Sequence, residues 1–210
     1  PTVMKTRLIL RTCAISIGVL TPAVAQVVPS PAVWGGEVNV DSGWLPKSTI
    51  FPTVPGTTSL SLTDAAHGDS VTAATVTGIT PAPFVSSTLF VQSLAGNRST
   101  AAGRAMASLD YFFVITGPTG LVPVHVDALG FANTSGSLVP KGVSAFLQAE
   151  LSVGLTSGPA AGTLALSRSV DKQYSASTTA APRPAFSAEF VIDDIYMAET
   201  NREYRVHLRT

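Results

Sequence analysis

The most regular pattern in the chain is an alternation of apolar and polar residues between positions 143 and 155. Side chains of a β-strand point alternately to its two faces, so the pattern predicts a strand with one face against a core and the other in water. Phe146 is the one large apolar residue on the polar face. The apolar face comprises Val143, Ala145, Leu147, Ala149, Leu151, Val153 and Leu155.

The same two-residue period recurs elsewhere between turn residues. Residues 105–115 and 121–129 predict two strands, and the Gly-Pro-Thr-Gly sequence at 117–120 is typical of a tight turn, so we expect a hairpin. Pro123 has no N–H group, which places it at a sheet edge or in an unpaired strand start. Asp193-Asp194 is expected to interrupt the strands near the end of the chain. Further strands are predicted at 37–40, 58–63, 70–77, 84–94, 163–170, 186–192 and 204–208.

These closely spaced strands leave no room for crossover helices, and no segment after residue 25 has a sustained helical period. The sequence therefore predicts an all-β fold, an antiparallel β-sandwich of the Ig-like or jelly-roll-like kind with about 8–9 strands. Residues 26–210 are long enough for one such domain. The chain stops directly after an alternating strand, so we expect the natural protein to continue beyond Thr210.

The first 25 residues have the order of features found in secretory signal peptides. Met4 begins a basic region with Lys5, Arg7 and Arg11, an apolar run covers 12–20, and Ala23-Val24-Ala25 forms a small-x-small cleavage site. The apolar run is shorter than the roughly 20 residues that span a bilayer. We expect cleavage near Ala25, secretion to the extracellular space, and no stable membrane span afterwards. Residues 1–3 precede the expected start.

The charge and cysteine content of the chain indicate which partners and covalent links to expect. Charged residues are only 12% of the chain, against roughly a quarter in average proteins. Loss of three basic residues with the signal peptide would leave ten basic and 13 acidic ones, a net charge of −3. This balance argues against nucleic acid as a partner. Cys13, the single cysteine, lies in the segment expected to be removed, so the exported protein would have no disulfide.

The residues that could carry chemistry are few. The two-residue period puts His125 and Asp127 on one outward face, where they could touch a ligand, a metal or each other. A solvated pair is the commoner explanation, because one imidazole and one carboxylate cannot fill a coordination shell. His67 and His207 also lack the spacing of metal ligands. No metal and no cofactor are therefore predicted.

Two further segments contain carboxylates that could bind a metal. Asp193-Asp194 lies near Glu189 and Glu199, and oxygen-rich loops of this sort can bind calcium. The spacing of a calcium-binding loop is absent, which favours a solvated turn. The His-Gly-Asp sequence at 67–69 is likewise typical of a turn. There is no G-x-S-x-G element and no cysteine after processing, so no catalytic residue and no enzymatic activity are predicted.

Aromatic residues offer the alternative function. Exposed Trp34 and Trp44 could stack on sugar rings, as in a carbohydrate-binding module, although burial in a core is the commoner role of tryptophan. Tyr204 opens a late strand after a polar turn, which predicts a tyrosine corner, in which the hydroxyl bonds to upstream backbone.

One stretch carries a resemblance. Ser-Leu-Asp-Tyr-Phe-Phe-Val-Ile-Thr-Gly-Pro at 108–118, followed by Leu-Val-Pro-Val-His-Val at 121–126, resembles exported bacterial proteins that often carry a C-terminal PEP-CTERM sorting signal. The likeness covers roughly residues 101–208, but no Pro-Glu-Pro motif, apolar span and basic tail follow here. The resemblance implies an extracellular or surface β-sandwich associated with exopolysaccharide and biofilm, with no assigned catalytic residues.

We therefore expect a secreted or cell-surface non-enzymatic protein with a structural or adhesive role in the extracellular matrix or biofilm. The alternative is a carbohydrate-binding module, which would bind through Trp34 and Trp44. Extracellular polysaccharide and surface proteins are the expected partners. The sequence does not indicate the ligand or the oligomeric state.

Overall fold

The computed structural model describes residues 3–19, 26–42, 45–66, 68–79, 82–94, 102–135, 138–139, 143–156, 164–176, 181–182 and 186–210. The described chain is all-β and contains no helix, which confirms the predicted antiparallel β-sandwich class. Its strands are β1 (Val3–Val19), β2 (Gln26–Asp41), β3 (Ser48–Ile50), β4 (Gly56–Asp64), β5 (Asp69–Gly78), β6 (Phe84–Leu94), β7 (Ala102–Thr116), β8 (Leu121–Ser135), β9 (Leu138–Val139), β10 (Val143–Leu155), β11 (Leu166–Ala176), β12 (Ala181–Pro182), β13 (Phe186–Glu199) and β14 (Glu203–Arg209).

Two six-stranded antiparallel sheets form the body of the molecule. Sheet A has the strand order β13-β8-β1-β6-β5-β4, and sheet B has the order β11-β10-β14-β7-β2-β3. The short strands β9 and β12 pair separately. The predicted count of 8–9 strands was too low, since the described residues form fourteen. The additional strands include β1, in the segment predicted to be a signal peptide, and β3, β9 and β12, whose two or three residues are too few to show a period.

The alternating segments are strands where the pattern is longest. The segment Val143–Leu155 is strand β10, and Phe146 on its outer face is 57% exposed, as predicted. Asp193-Asp194 does not interrupt a strand, because β13 continues through both residues and stays in register with β8. An edge strand tolerates these charges, since its free side faces water.

The connection between β7 and β8 corrects the sequence prediction. The two strands were expected to form a hairpin, but β7 lies in sheet B and β8 in sheet A. The turn therefore carries the chain from one sheet to the other, and both strands direct apolar side chains into the space between the sheets. Strand β8 is interior to sheet A, so the expected sheet-edge position of Pro123 is wrong. Pro123 lies just beyond the last described pair between β8 and β1, at Val124, so on that side its missing N–H costs no described ladder bond.

The main core lies between the two sheets. Leu109 and Phe113 of β7, Val126 of β8, and Tyr204 and Val206 of β14 are completely buried. The rings of Phe113 and Tyr204 stack, with their centroids 5.3 Å apart. Each large apolar side chain removed from water here contributes about 1.5–3 kcal/mol to stability.

Tyr204 forms the predicted tyrosine corner. Its hydroxyl accepts a hydrogen bond from the backbone N–H of Glu199 at 2.7 Å and donates one to the Glu199 carbonyl oxygen at 3.3 Å. The turn between β13 and β14 is also tied to the β7–β8 turn. The Thr200 hydroxyl donates to the Pro118 carbonyl oxygen at 2.7 Å, and the Asn201 amide donates to the Gly117 carbonyl oxygen at 2.8 Å. The two turns at this end of the sandwich are thus held together.

The N-terminal segment is an interior strand of sheet A. Strand β1 pairs with β6 from Val3 to Ala14 and with β8 from Arg7 to Val19. The expected cleavage site at residues 23–25 lies outside the described residues.

Candidate functional site

His125 lies on the outer face of sheet A and pairs with a different residue from the one expected. Its Nε2 is 2.6 Å from Oδ1 of Asp193 on the neighbouring strand β13. Asp127 stands directly opposite Asp193 in the β8–β13 register, so the two carboxylates and the imidazole share one face. The side chain of Asp193 is 73% exposed, and an ion pair so open to solvent contributes little to stability.

Apolar side chains surround this polar group. Val191 is 64% exposed and Ile195 55% exposed, and both belong to the edge strand β13. Their neighbours Phe190 and Ile192 point to the opposite side, into the core, so the exposed residues follow from the two-residue period of the strand. We call the exposed group the outer strip of sheet A. It comprises Leu121, Leu129, Val191, Ile195 and Met197.

The outer strip and the polar residues between its members form a chemically mixed surface. Val191 stands opposite Leu129, Asp193 opposite Asp127, and Ile195 opposite His125. An apolar pair, an acidic pair and a mixed pair therefore follow one another along the two strands. Contiguous exposed apolar residues bordered by polar ones are typical of interaction sites. The arrangement can bury apolar surface against a flat partner, while the carboxylates of Asp127 and Asp193 accept hydrogen bonds from it.

Trp34, one of the two tryptophans predicted as ligand contacts, does not join this surface. Trp34 stands opposite Leu109 in the β2–β7 register and is half-buried against the main core. It therefore occupies the core position that was the commoner explanation for a tryptophan. Trp44 lies outside the described residues, as does His67.

A second polar cluster, on the outer face of sheet B, was missed in the sequence. Arg205 binds Asp110 with both ends of its guanidinium group, at 2.7 Å from Nε and 3.0 Å from Nη2. Nδ1 of His207 is 2.7 Å from the same carboxylate. Burial raises the pKa of Asp110, but the hydrogen bonds from Arg205 and His207 outweigh it and hold the pKa below its ordinary value. The carboxylate is therefore ionised over the physiological pH range.

The register extends this cluster to a third strand. Ser152 of β10 stands opposite His207 of β14, which stands opposite Asp110 of β7. A row of Ser, His and Asp could in principle support nucleophilic catalysis. Among the described residues, however, no hydrogen bond joins His207 to Ser152. The Nδ1–H of His207 donates to Asp110, and Arg205, whose Nη2 lies 3.4 Å from that Nδ1, binds the same carboxylate. The cluster therefore joins strands β7 and β14 as an ion-pair network.

Metal binding finds no support in the described part of the chain, where no group of three or more His, Cys, Asp or Glu residues is placed to hold an ion. Asp194 accepts a hydrogen bond from the backbone N–H of Ile195, and Glu199 pairs with Arg202 at 3.5 Å.

In the part of the chain that the structure describes, no helix has the length and hydropathy of a membrane span.

The fold places the chain among the antiparallel all-β sandwich proteins. Comparison with protein-family models, with curated proteins and with solved structures found no match.

Proposed function

We propose that the protein is exported and acts outside the cell, or on its surface, as a non-enzymatic structural or adhesive component of the extracellular matrix. The observation that carries the proposal is the outer strip of sheet A. With His125, Asp127 and Asp193 between its members, it offers an exposed surface on which apolar side chains stand beside polar ones. Such a surface suits contact with another macromolecule better than it suits enclosure of a small substrate.

The chemistry of the strip favours extracellular polysaccharide or a surface protein as the partner. Sugar rings and protein surfaces both present apolar patches beside hydroxyl and amide groups. Val191 and Ile195 can cover the apolar patches, at about 25 cal/mol for each Å² removed from water. Asp127 and Asp193 can accept hydrogen bonds from the hydroxyl groups at the edge of the contact.

Export is supported by the order of basic, apolar and small residues in the first 25 positions. The resemblance to proteins with PEP-CTERM sorting signals points to the same compartment and to biofilm as the setting.

A double variant of the outer strip tests this function in the organism that makes the protein. Val191→Thr combined with Ile195→Thr keeps the branching at Cβ and the strand propensity but makes the strip more polar. Surface-attached biomass, measured after chromosomal replacement, should fall to the level of the deletion strain. Val33→Thr is the matched control, because Val33 is 57% exposed on the other sheet, and it should have no effect. Undiminished biomass with the double variant would contradict the proposal.

The carbohydrate-binding alternative has its own test. Affinity electrophoresis in polysaccharide gels should show whether Trp44→Ala abolishes retardation of the protein. Loss of retardation in the variant would favour the alternative. Equal retardation of the variant and the native protein would favour a contact through the outer strip.

A further inference from the structure

The segment with the features of a signal peptide is also the strand that joins the two halves of sheet A. Strand β8 pairs only with β13 and β1, and β6 pairs only with β5 and β1, among the described strands. If export removes residues 1–25, both β6 and β8 lose one partner. Their backbones would then face each other across two strand spacings, about 10 Å, with unpaired N–H and C=O groups on both sides.

We propose that this gap is a strand-acceptor site in the exported protein, filled by an extended segment of a second polypeptide. The proposal rests on the proposed export and cleavage. Insertion of a strand restores two ladders at once, and main-chain hydrogen bonds supply affinity while alternate side-chain positions supply specificity. A protein that joins others in this way fits a structural role outside the cell.

The register of β1 defines what the site accepts near Val19. Ile15 stands opposite Ala128, Ile17 opposite Val126, and Val19 opposite Val124. All three partners on β8 are buried residues of the main core. The incoming segment must therefore be apolar at every second position along this half of the site.

The other half of the site has the same requirement, displaced by one residue. Leu8 stands opposite Leu89, which packs against the core, and Leu10 stands opposite the buried Ala132. The positions of β1 that stand opposite core residues are thus even-numbered before residue 11 and odd-numbered after residue 12. The change coincides with a register shift of β1 against both neighbours, between Ile9 and Cys13 and between Arg11 and Ala14.

This shift gives the site a specific recognition rule. A strand with uninterrupted alternation would place one half of its apolar residues toward water, because a slip of one residue moves every side chain to the other face. The matching occupant has two alternating halves separated by one extra residue. At its outward positions it is neutral or basic, since the adjoining face of sheet A carries Asp127, opposite Ser16, and Asp193 on the next strand.

The test uses the exported protein and synthetic peptides. Mass spectrometry first defines the N-terminus of the protein recovered from the medium. A fluorescent peptide with the sequence of residues 3–19 should then bind it, as measured by anisotropy. A matched peptide lacking Thr12 removes the extra residue and should bind at least about 100-fold more weakly, because half of its apolar positions are displaced. The uncleaved full-length chain, whose own β1 fills the site, should bind neither peptide.

Hydrogen exchange of the exported protein gives a second readout that does not depend on peptide affinity. Backbone amides of β6 and β8 should exchange more slowly when the residue 3–19 peptide is present, while those of β11 should be unchanged. Self-association that the peptide reverses would support the proposal and identify the donor as a second copy of the chain.

The outcomes separate the two proposals. A protein that starts at Gln26 but binds both peptides equally, or binds neither and shows no change in exchange, would overturn the strand-acceptor site and leave export standing. Recovery from the medium of a chain that still contains residues 3–19 would instead contradict the proposed cleavage.

Discussion

The tyrosine corner gives the sharpest test of the packing. Tyr204→Phe removes one hydroxyl while the ring can keep its stacking on Phe113. The backbone N–H of Glu199, which donates to that hydroxyl at 2.7 Å, loses its partner in a partly buried position. The longer bond that the hydroxyl donates to the Glu199 carbonyl oxygen is lost as well. Together, with the N–H donor left unpaired, the losses cost about 1–2 kcal/mol. Urea unfolding followed by circular dichroism should show this decrease in the free energy of unfolding.

Tyr111→Phe is the matched control for this variant. Tyr111 is half-buried against the same core, and no hydrogen bond is described for its hydroxyl. We expect its free energy of unfolding to stay within about 0.5 kcal/mol of the native value. Equal effects of the two variants would refute the idea that the hydroxyl of Tyr204 stabilises the corner.

The same residue predicts a dependence on pH. Burial raises the pKa of Tyr204 above its ordinary value. A raised folded-state pKa means that the neutral phenol is favoured in the folded protein, so this stabilising contribution is complete below the pKa of the unfolded chain, about 10. It is lost as the pH rises through the folded-state value. The native protein should therefore lose stability more steeply above pH 10 than Tyr204→Phe, and parallel curves would contradict the assignment.

Further predictions concern sheet B and the glycines. Asp110→Asn should lower the free energy of unfolding by about 1 kcal/mol, because the guanidinium of Arg205 loses its bidentate partner. Since the pKa of Asp110 is lowered in the fold, this difference should shrink as the pH falls below about 4, and a constant difference would contradict it. Gly130→Ala should cost about 1–3 kcal/mol, because a Cβ there would overlap the ring of Phe190. At Gly154 a Cβ meets no atom within 4 Å, so Gly154→Ala should be close to neutral, and equal thermal shifts for the two would argue against this packing.

The strands could be predicted because alternation is a local property of the sequence. The segment Val143–Leu155 shows it without interruption on its core side, and its bounds as strand β10 are the predicted ones. Which strands pair is not local. The turn at 117–120 is compatible with a hairpin and equally with a crossing between sheets. The crossing is evident only from the structure, in which β7 and β8 pair with strands of different sheets.

The candidate site likewise combines local features that could be predicted with long-range contacts that could not. Period two correctly placed His125 on an outward face, but its partner Asp193 lies 68 positions away, on a strand whose neighbour could not be deduced. The pair of Asp110 and His207 is separated by 97 positions, and no spacing rule connects them. Trp34 could be assigned to the core only once its register with Leu109 was known.

The outer strip of sheet A is proposed as the surface by which the protein contacts a partner outside the cell. A photo-crosslinking amino acid placed at position 195 and, in a separate sample, at position 33 tests this directly in intact cultures. Both positions are more than half exposed, on opposite sheets. We predict crosslinked adducts with matrix polymer or surface protein from position 195 and none from position 33. Equal yields from the two positions, or adducts from position 33 alone, would contradict the account.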